Sequence, residues 1–181
     1  MTVLNVAMFG SDELAKSIAK ATDQRDVHTY VHKEYQDEVA KIISIIRPAR
    51  YPERLRPLLN AISAGRVGII EVNSVDATLG EVLVAFASSS INLGLVVINP
   101  PNGEWIDEEM VKKMLAQAGL SKWKFIANDG VEIRNALYQL MEEIEQELVD
   151  SAASQLVVSI DQYFNVKGIG LVAIGYVQSG N

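Results

Sequence analysis

Short apolar runs alternate with helical patterns through most of this chain, and that alternation restricts its fold more than any other feature. Val3–Phe9 reads as a buried strand ending at Gly10, and Ser11–Ala21 as the helix that follows. Val27–Val31 and Ile42–Ile46 are two further strand candidates. Pro52–Ser63 is helical, with Leu55, Leu58, Leu59 and Ile62 on one apolar stripe. Val67–Val72 reads as a strand, and Thr78–Phe86 as a helix whose Thr78 and Glu81 stand at capping-box spacing. Leu93–Ile98 is the most apolar strand, and Asp107–Ala118 a helix opened by an Asp cap and closed by Gly119. Trp123–Ala127 is a short strand, and Val131–Ala153 a long helix with Leu137, Leu140, Met141, Ile144 and Leu148 on one side. This order predicts parallel βαβ units covered on both faces, an α/β doubly wound sheet. Ligands of such sheets sit beyond the carboxyl ends of the strands, so the loops after Phe9, Ile46, Ile98 and Ala127 matter most.

The pattern changes after the long helix. Leu156–Ile160 and Leu171–Val177 are β-rich and are linked by Asp161–Gly170, which reads as a loop between two antiparallel strands. Two strands alone are marginally stable, so they must pack on the first domain, pair with another chain or belong to a larger barrel. The expected organisation is an α/β domain over 1–153 and an incomplete β-barrel segment over 154–181.

Composition narrows the classes of function. A length of 181 residues, 49% hydrophobic and 22% charged, fits a globular protein and excludes a disordered or fibrous one. The absence of Cys removes disulfides, thiolate nucleophiles and Cys-ligated metals. A net charge of −7 opposes non-specific adhesion to nucleic acid or anionic membrane, without excluding a local basic site. The start of the chain lacks the basic region and small-residue cleavage site of a secretory signal. No apolar run approaches the ~18 residues of a membrane span. A soluble, cytoplasmic protein without a membrane partner is expected.

Gly10-Ser-Asp-Glu-Leu-Ala15-Lys16-Ser17 follows a strand and opens a helix, the setting of a phosphate loop. That motif, GxxxxGK[ST], uses backbone N–H groups to cradle phosphates, Lys to neutralise them and a hydroxyl to hold Mg²⁺. Gly10, Lys16 and Ser17 match. Ala15 replaces the glycine that lets backbone touch phosphate, and Asp12 and Glu13 add negative charge. The other reading of these residues is a plain strand–turn–helix with an exposed Lys.

Further along, Ile45-Ile-Arg-Pro-Ala-Arg-Tyr-Pro52 stands at a strand end, and Val67–Val72 is followed by Asp76-Ala-Thr-Leu-Gly-Glu81. Leu93-Gly-Leu-Val-Val-Ile-Asn99 spans the most apolar strand, and Asp161-Gln-Tyr-Phe-Asn-Val-Lys-Gly-Ile-Gly170 links the two runs of the β-rich tail. In this order the chain resembles translational GTPases of the elongation factor Tu type, and among them the archaeal selenocysteine- and pyrrolysine-associated elongation-factor-like proteins. The resemblance implies a P-loop GTPase-like domain and the first strands of a β-barrel domain. On that reading either the barrel continues past residue 181 or the hairpin has another use.

The resemblance also shows where the chain departs from the family. Arg47 and Arg50 align with the Asp and Gly of the family's Asp-x-x-Gly, and Tyr51 with the residue that positions the attacking water. A guanidinium ~5 Å from Mg²⁺ would repel it by ~6 kcal/mol at an effective dielectric near 20. Thr29 is a weak candidate for the switch threonine. Asn99 keeps the first residue of Asn-Lys-x-Asp, but Pro100 replaces Lys and Asn102 replaces the guanine-reading Asp. An amide there sets one donor against another, at about 1–3 kcal/mol. Of the Ser-Ala loop, near Ile126-Ala127, only the Ala remains. Gly10, Lys16, Ser17, Asn99 and Asn102 are therefore expected as relics of a nucleotide site, in a pseudo-GTPase with no catalytic residues.

Other constellations carry less. Arg47, Arg50, Arg54 and Arg56 could hold phosphate, RNA or an acidic partner, or form a solvated loop paired with Glu53. His28 and His32, with Glu34 nearby, have ligand spacing on a helix but stand in a strand-like context, so no metal is expected. Asp107, Glu108 and Glu109 suit a helix start. Glu142, Glu143, Glu145 and Glu147 read as a solvated helix face, and Trp105 and Trp123 as packing residues. The resemblance thus implies a non-catalytic, elongation-factor-like protein partnered by tRNA, the ribosome or another translation protein, with no cofactor. The alternatives are an atypical GTP-binding factor that uses GTP or GDP with Mg²⁺, and a structural module that forms homo-oligomers through the tail hairpin.

Overall fold

The computed structural model describes residues 2–24, 27–36, 38–150 and 155–179. Two compact units divide the chain, Met1–Tyr138 and Gln139–Asn181. The expected boundary at 153/154 and the last three residues of the expected long helix lie outside the described residues.

The first unit is the α/β sheet that the alternation predicts. Its elements are β1 (Thr2–Phe9), α1 (Asp12–Ile18), β2 (Lys20–Gln24), β3 (Val27–Gln36), β4 (Val39–Pro48), α2 (Leu55–Ala64), β5 (Val67–Val72), α3 (Ala77–Ala87), β6 (Gly94–Ile98), α4 (Glu108–Gln117) and β7 (Lys124–Ile126). The helix α5 (Gly130–Asp150) starts in this unit and runs into the second. The strand order is β2-β3-β4-β1-β5-β6-β7. From β4 to β7 all pairings are parallel, while β3 is antiparallel to β4 and β2 to β3.

Both faces of the sheet are covered, which is why β5 is buried along its whole length. On one face α2, α3 and α4 pack Leu58, Ile62, Leu79, Phe86, Val111 and Leu115 against Ala7, Ile70 and Val96. Trp123 is buried there over Gly68 and Gly94, which pair side by side across β5 and β6. A Cβ at Gly68 would come within 2.1 Å of the indole and one at Gly94 within 2.5 Å, so both positions must lack a side chain. On the opposite face, a Cβ at Gly130 would lie 2.2 Å from the Ser17 carbonyl, so the start of α5 rests on the end of α1.

Several local expectations are corrected. Helix α1 stops at Ile18 instead of continuing to Ala21, because Lys20–Gln24 pairs with β3. Only Leu58 and Ile62 of the expected α2 stripe are buried, joined by Pro57 and Ala61, while Leu55 and Leu59 are exposed. Helix α3 is capped by Asp76, whose side chain accepts from the Leu79 N–H at 2.9 Å, and not by Thr78. Trp105 is 81% exposed, where the sequence predicts a packing residue.

The second unit carries an antiparallel hairpin, β8 (Val157–Val166) and β9 (Gly170–Ser179). The expected ten-residue loop shrinks to residues 167–169, because Gly168 and Gly170 take positive φ (87° and 100°) and close a tight turn. Ile160, Tyr163, Phe164, Leu171 and Ile174 are exposed on the hairpin.

Candidate functional site

The carboxyl ends of β1, β4, β5 and β6 converge on a network of polar groups. Its centre is Glu71, penultimate in β5 and 1% exposed. In register Met8 pairs with Ile69, so the pleat puts Glu71 on the face of the sheet that Gly10 occupies. One carboxylate oxygen accepts the Ser11 backbone N–H at 2.5 Å, and the other accepts Asn99 Nδ2 at 2.6 Å. The Glu71 side chain lies so close to Gly10 that a Cβ there would come within 3.0 Å of it. Three strand ends are thereby tied together through one buried acid.

Arg47, at the end of β4, reaches the same place from the other side. Its Nε donates to the Gly10 carbonyl at 2.6 Å, and its Nη1 lies 3.4 Å from His28 Nδ1. The Tyr30 hydroxyl donates to Asp12, and the Lys16 ammonium sits 2.5 Å from the same carboxylate. Lys16 and Tyr30 hold the Asp12 pKa below its usual value, with the Arg47 charge adding to the effect. Burial first, then the Asp12 hydrogen bond, pushes the Tyr30 phenol up to about 12.

The phosphate-motif residues are arranged by the length of the first turn. Strand β1 ends at Phe9 and α1 begins at Asp12, with Ser11 as its cap accepting from the Leu14 N–H at 3.1 Å. Only Gly10 and Ser11 separate strand from helix. Lys16 therefore lies in the last turn of α1, and the Ser17 hydroxyl donates to the Leu14 carbonyl at 2.8 Å. Asn99 joins Ser11 through Glu71, whereas Asn102 is exposed in the turn closed by Glu104 N–H to Pro101 O at 3.0 Å. Arg50 is exposed with φ 57°, a left-handed conformation uncommon for a side-chain-bearing residue, and its carbonyl accepts from Arg54 at 2.8 Å. Arg54 and Arg56 are exposed at the start of α2. The Tyr51 hydroxyl donates to Glu81 at 3.0 Å, and burial chiefly, with this bond, pushes its pKa up to about 12. His28 and His32 point to one face of β3 four residues apart, about 13 Å along a strand, so they share no site.

Two contributors escaped the sequence reading. Glu71 announces itself only as the one acid in the apolar run VGIIEV. Arg134 of α5 donates through Nη1 to the Ser17 and Ile18 carbonyls at 2.8 and 2.9 Å, and so caps the end of α1 from 116 residues away. Beside the β6 and β7 ends lies a cleft of about 360 Å³ lined by Ile98, Glu108, Phe125, Ile126 and Ala127. Glu108 is the acid in it, and it pairs with Lys112 at 2.9 Å.

Comparison with known proteins places this geometry in a fold. No protein-family model matches the chain. The uncharacterized protein MJ0325 of Methanocaldococcus jannaschii is 29% identical over 181 residues, 99% of this chain and 54% of that protein. The chain thus spans about half the length of the curated relative it matches. Among solved structures, the bacterial selenocysteine-specific elongation factor EF-Sec matches with a TM-score of 0.64 and 18% identity, over 98% of this chain and 34% of that one. The fold is accordingly P-loop GTPase-like in the first unit, with a β hairpin in the second. No helix among the described residues is long and apolar enough to cross a membrane.

Proposed function

We propose that this chain is an elongation-factor-like protein whose GTPase-like domain works without nucleotide, as a non-catalytic factor for tRNA, the ribosome or a translation protein. The observation that carries this reading is the filled turn after β1. A phosphate loop needs a long glycine-rich turn with its Lys at the helix start. Here the turn has two residues, the Ser11 N–H is held by Glu71, and the Gly10 carbonyl by Arg47. The residues present do not suit Mg²⁺ either: the Ser17 hydroxyl stands in the last turn of α1, at the far end of the helix from the Gly10 turn, and a guanidinium stands at that turn. The chain's own carboxylate takes there a backbone donor of the kind that a phosphate takes in a working GTPase.

An atypical GTP-binding factor is the competing reading, favoured by the 360 Å³ cleft beside the β6 and β7 ends, where Glu108 offers an acceptor to a base. Thermal unfolding with GTP, GDP, ATP, XTP and pyrophosphate, each with and without Mg²⁺, separates the two. A ligand at 100 times its Kd stabilises a fold by about 2.7 kcal/mol. The expected outcome is no shift specific to guanine nucleotides. A shift produced by GTP with Mg²⁺, and not by ATP or pyrophosphate, overturns the nucleotide-free reading.

A further inference from the structure

We infer that the cleft between the end of α1, the start of β2 and the first turns of α5 binds a phosphate group carried on a larger ligand. The cleft has a volume of about 590 Å³, within the range of small-molecule sites. Lys16, Lys20, His32 and Arg134 line it, and none of its lining residues is acidic, in a chain whose net charge is −7. Lys20 and Arg134 bring two cations, Lys16 a third that is shared with Asp12, and His32 a ring that Glu34 acts on from outside the lining. Ile18, Ala19 and Ala21 add an apolar wall, which a bare inorganic ion would leave unused. This site meets the polar network only through the Lys16–Asp12 pair, contains neither Glu71 nor Arg47, and stands whether or not nucleotide binds elsewhere.

The cations differ in what they offer. Arg134 is held in place by the Ser17 and Ile18 carbonyls, both through Nη1, so the planar fork is oriented before a ligand arrives. Lys16 is shared with Asp12 at 2.5 Å, an exposed pair that costs little to loosen. Lys20 stands exposed on the edge strand, a mobile point charge that can follow an anion. His32 has its pKa lowered by burial first and by the Arg134 charge second, so near neutral pH it serves as a hydrogen-bonding group rather than a cation. Lys16 thus turns up in a phosphate-binding role after all, but at the opposite end of its helix from the turn where the sequence motif would put it.

The shared chemistry is a phosphate oxyanion, and its source is either a free phosphorylated small molecule or an RNA backbone. The test uses the full chain at low salt, with pyrophosphate in calorimetry and a short labelled oligouridylate in fluorescence anisotropy. Replacing a charge that hydrogen-bonds an anion should weaken binding about tenfold or more. Lys20→Glu is the primary variant, because the exposed edge strand tolerates it. His32→Gln is the second, and Arg54→Glu the control in the other basic segment. Pyrophosphate binding that falls at least tenfold in Lys20→Glu, and is unchanged in Arg54→Glu, supports the site with a free ligand. Oligouridylate binding with the same dependence supports an RNA backbone. Failure of both probes to bind, or binding indifferent to both Lys20→Glu and His32→Gln, overturns the inference.

Discussion

The starts of α1 and α3 follow the carboxyl ends of two neighbouring central strands, β1 and β5, and they are held in opposite ways. Helix α3 begins locally. Asp76 accepts from the Leu79 N–H at 2.9 Å, the Ser74 hydroxyl steadies the same carboxylate at 2.8 Å, Ser74 and Asp76 lie exposed, and all three parts fall within six residues. Helix α1 has a local cap too, in Ser11, but the cap's own N–H is clamped by a buried acid 60 residues away. A local cap can be exchanged with little effect on its surroundings. A buried clamp that also holds Asn99 commits three strand ends at once, and it occupies the backbone donor a ligand would need. The part of the fold that resembles a nucleotide site is therefore the part most tightly satisfied from within.

Glu71→Ala should accordingly have the largest effect. It leaves the Ser11 N–H and the Asn99 amide without their buried acceptor, at about 1–3 kcal/mol each, and removes a side chain from a packed strand. A loss near 3 kcal/mol is expected, which in a domain of this size lowers Tm by roughly 10 °C. Glu71→Gln sharpens the point. It preserves volume and one acceptor but turns an N–H toward a donor, so it should lose less than the alanine and still more than any cap at the surface. Denaturant unfolding of the two variants beside Asn99→Ala reads the coupling directly. If Glu71→Ala and Asn99→Ala add without interaction, the network is a set of independent bonds and the clamp is an overstatement.

Asp76→Ala should cost about 1 kcal/mol, the ordinary value of an N-cap. Its smallness is the counterpart of its legibility. A helix start at this place could be read from the sequence, since a capping residue and its N–H partner are three positions apart; Thr78 was the wrong choice among neighbours, not a wrong kind of signal. The strands were legible for a similar reason, because burial on both faces demands runs such as VGIIEV and GLVVI. What stayed hidden is what long-range contacts decide. Lys20 and Ala21 suit a helix as well as a strand, and pairing with Tyr30 and Val31 chose the strand. Arg134 capping α1, and Glu71 filling the turn, depend on residues more than 50 positions away that no local pattern announces. The resemblance in motif order survived at the level of fold, while the length of the first turn, which sets the chemistry, had to be seen.

The smallest expected effect is a pH dependence that divides the two helix starts again. The Asp76 pKa lies below its usual value, chiefly because the Leu79 N–H bonds the ionised form, with Ser74 second. Asp129, at the start of α5, is lowered likewise by the Glu132 and Val131 N–H groups. A carboxyl with a depressed folded pKa binds its proton more readily in the unfolded chain. Its contribution is complete above the unfolded value and is lost as pH falls through the folded one. As pH falls below about 4, the ordinary carboxyl value, the wild-type chain should therefore lose stability in part through these two caps. Asp76→Asn keeps an acceptor for the Leu79 N–H and removes the titration. It should unfold near the wild-type temperature at pH 7 and show a slightly shallower fall of Tm in acid, the effect being small for so exposed a group. Ser11, whose hydroxyl does not titrate, offers the internal contrast: Ser11→Asn should leave the acid slope of Tm as it is in the wild type. An equal flattening by both variants would mean that the acid sensitivity lies in the buried network and not in the surface caps.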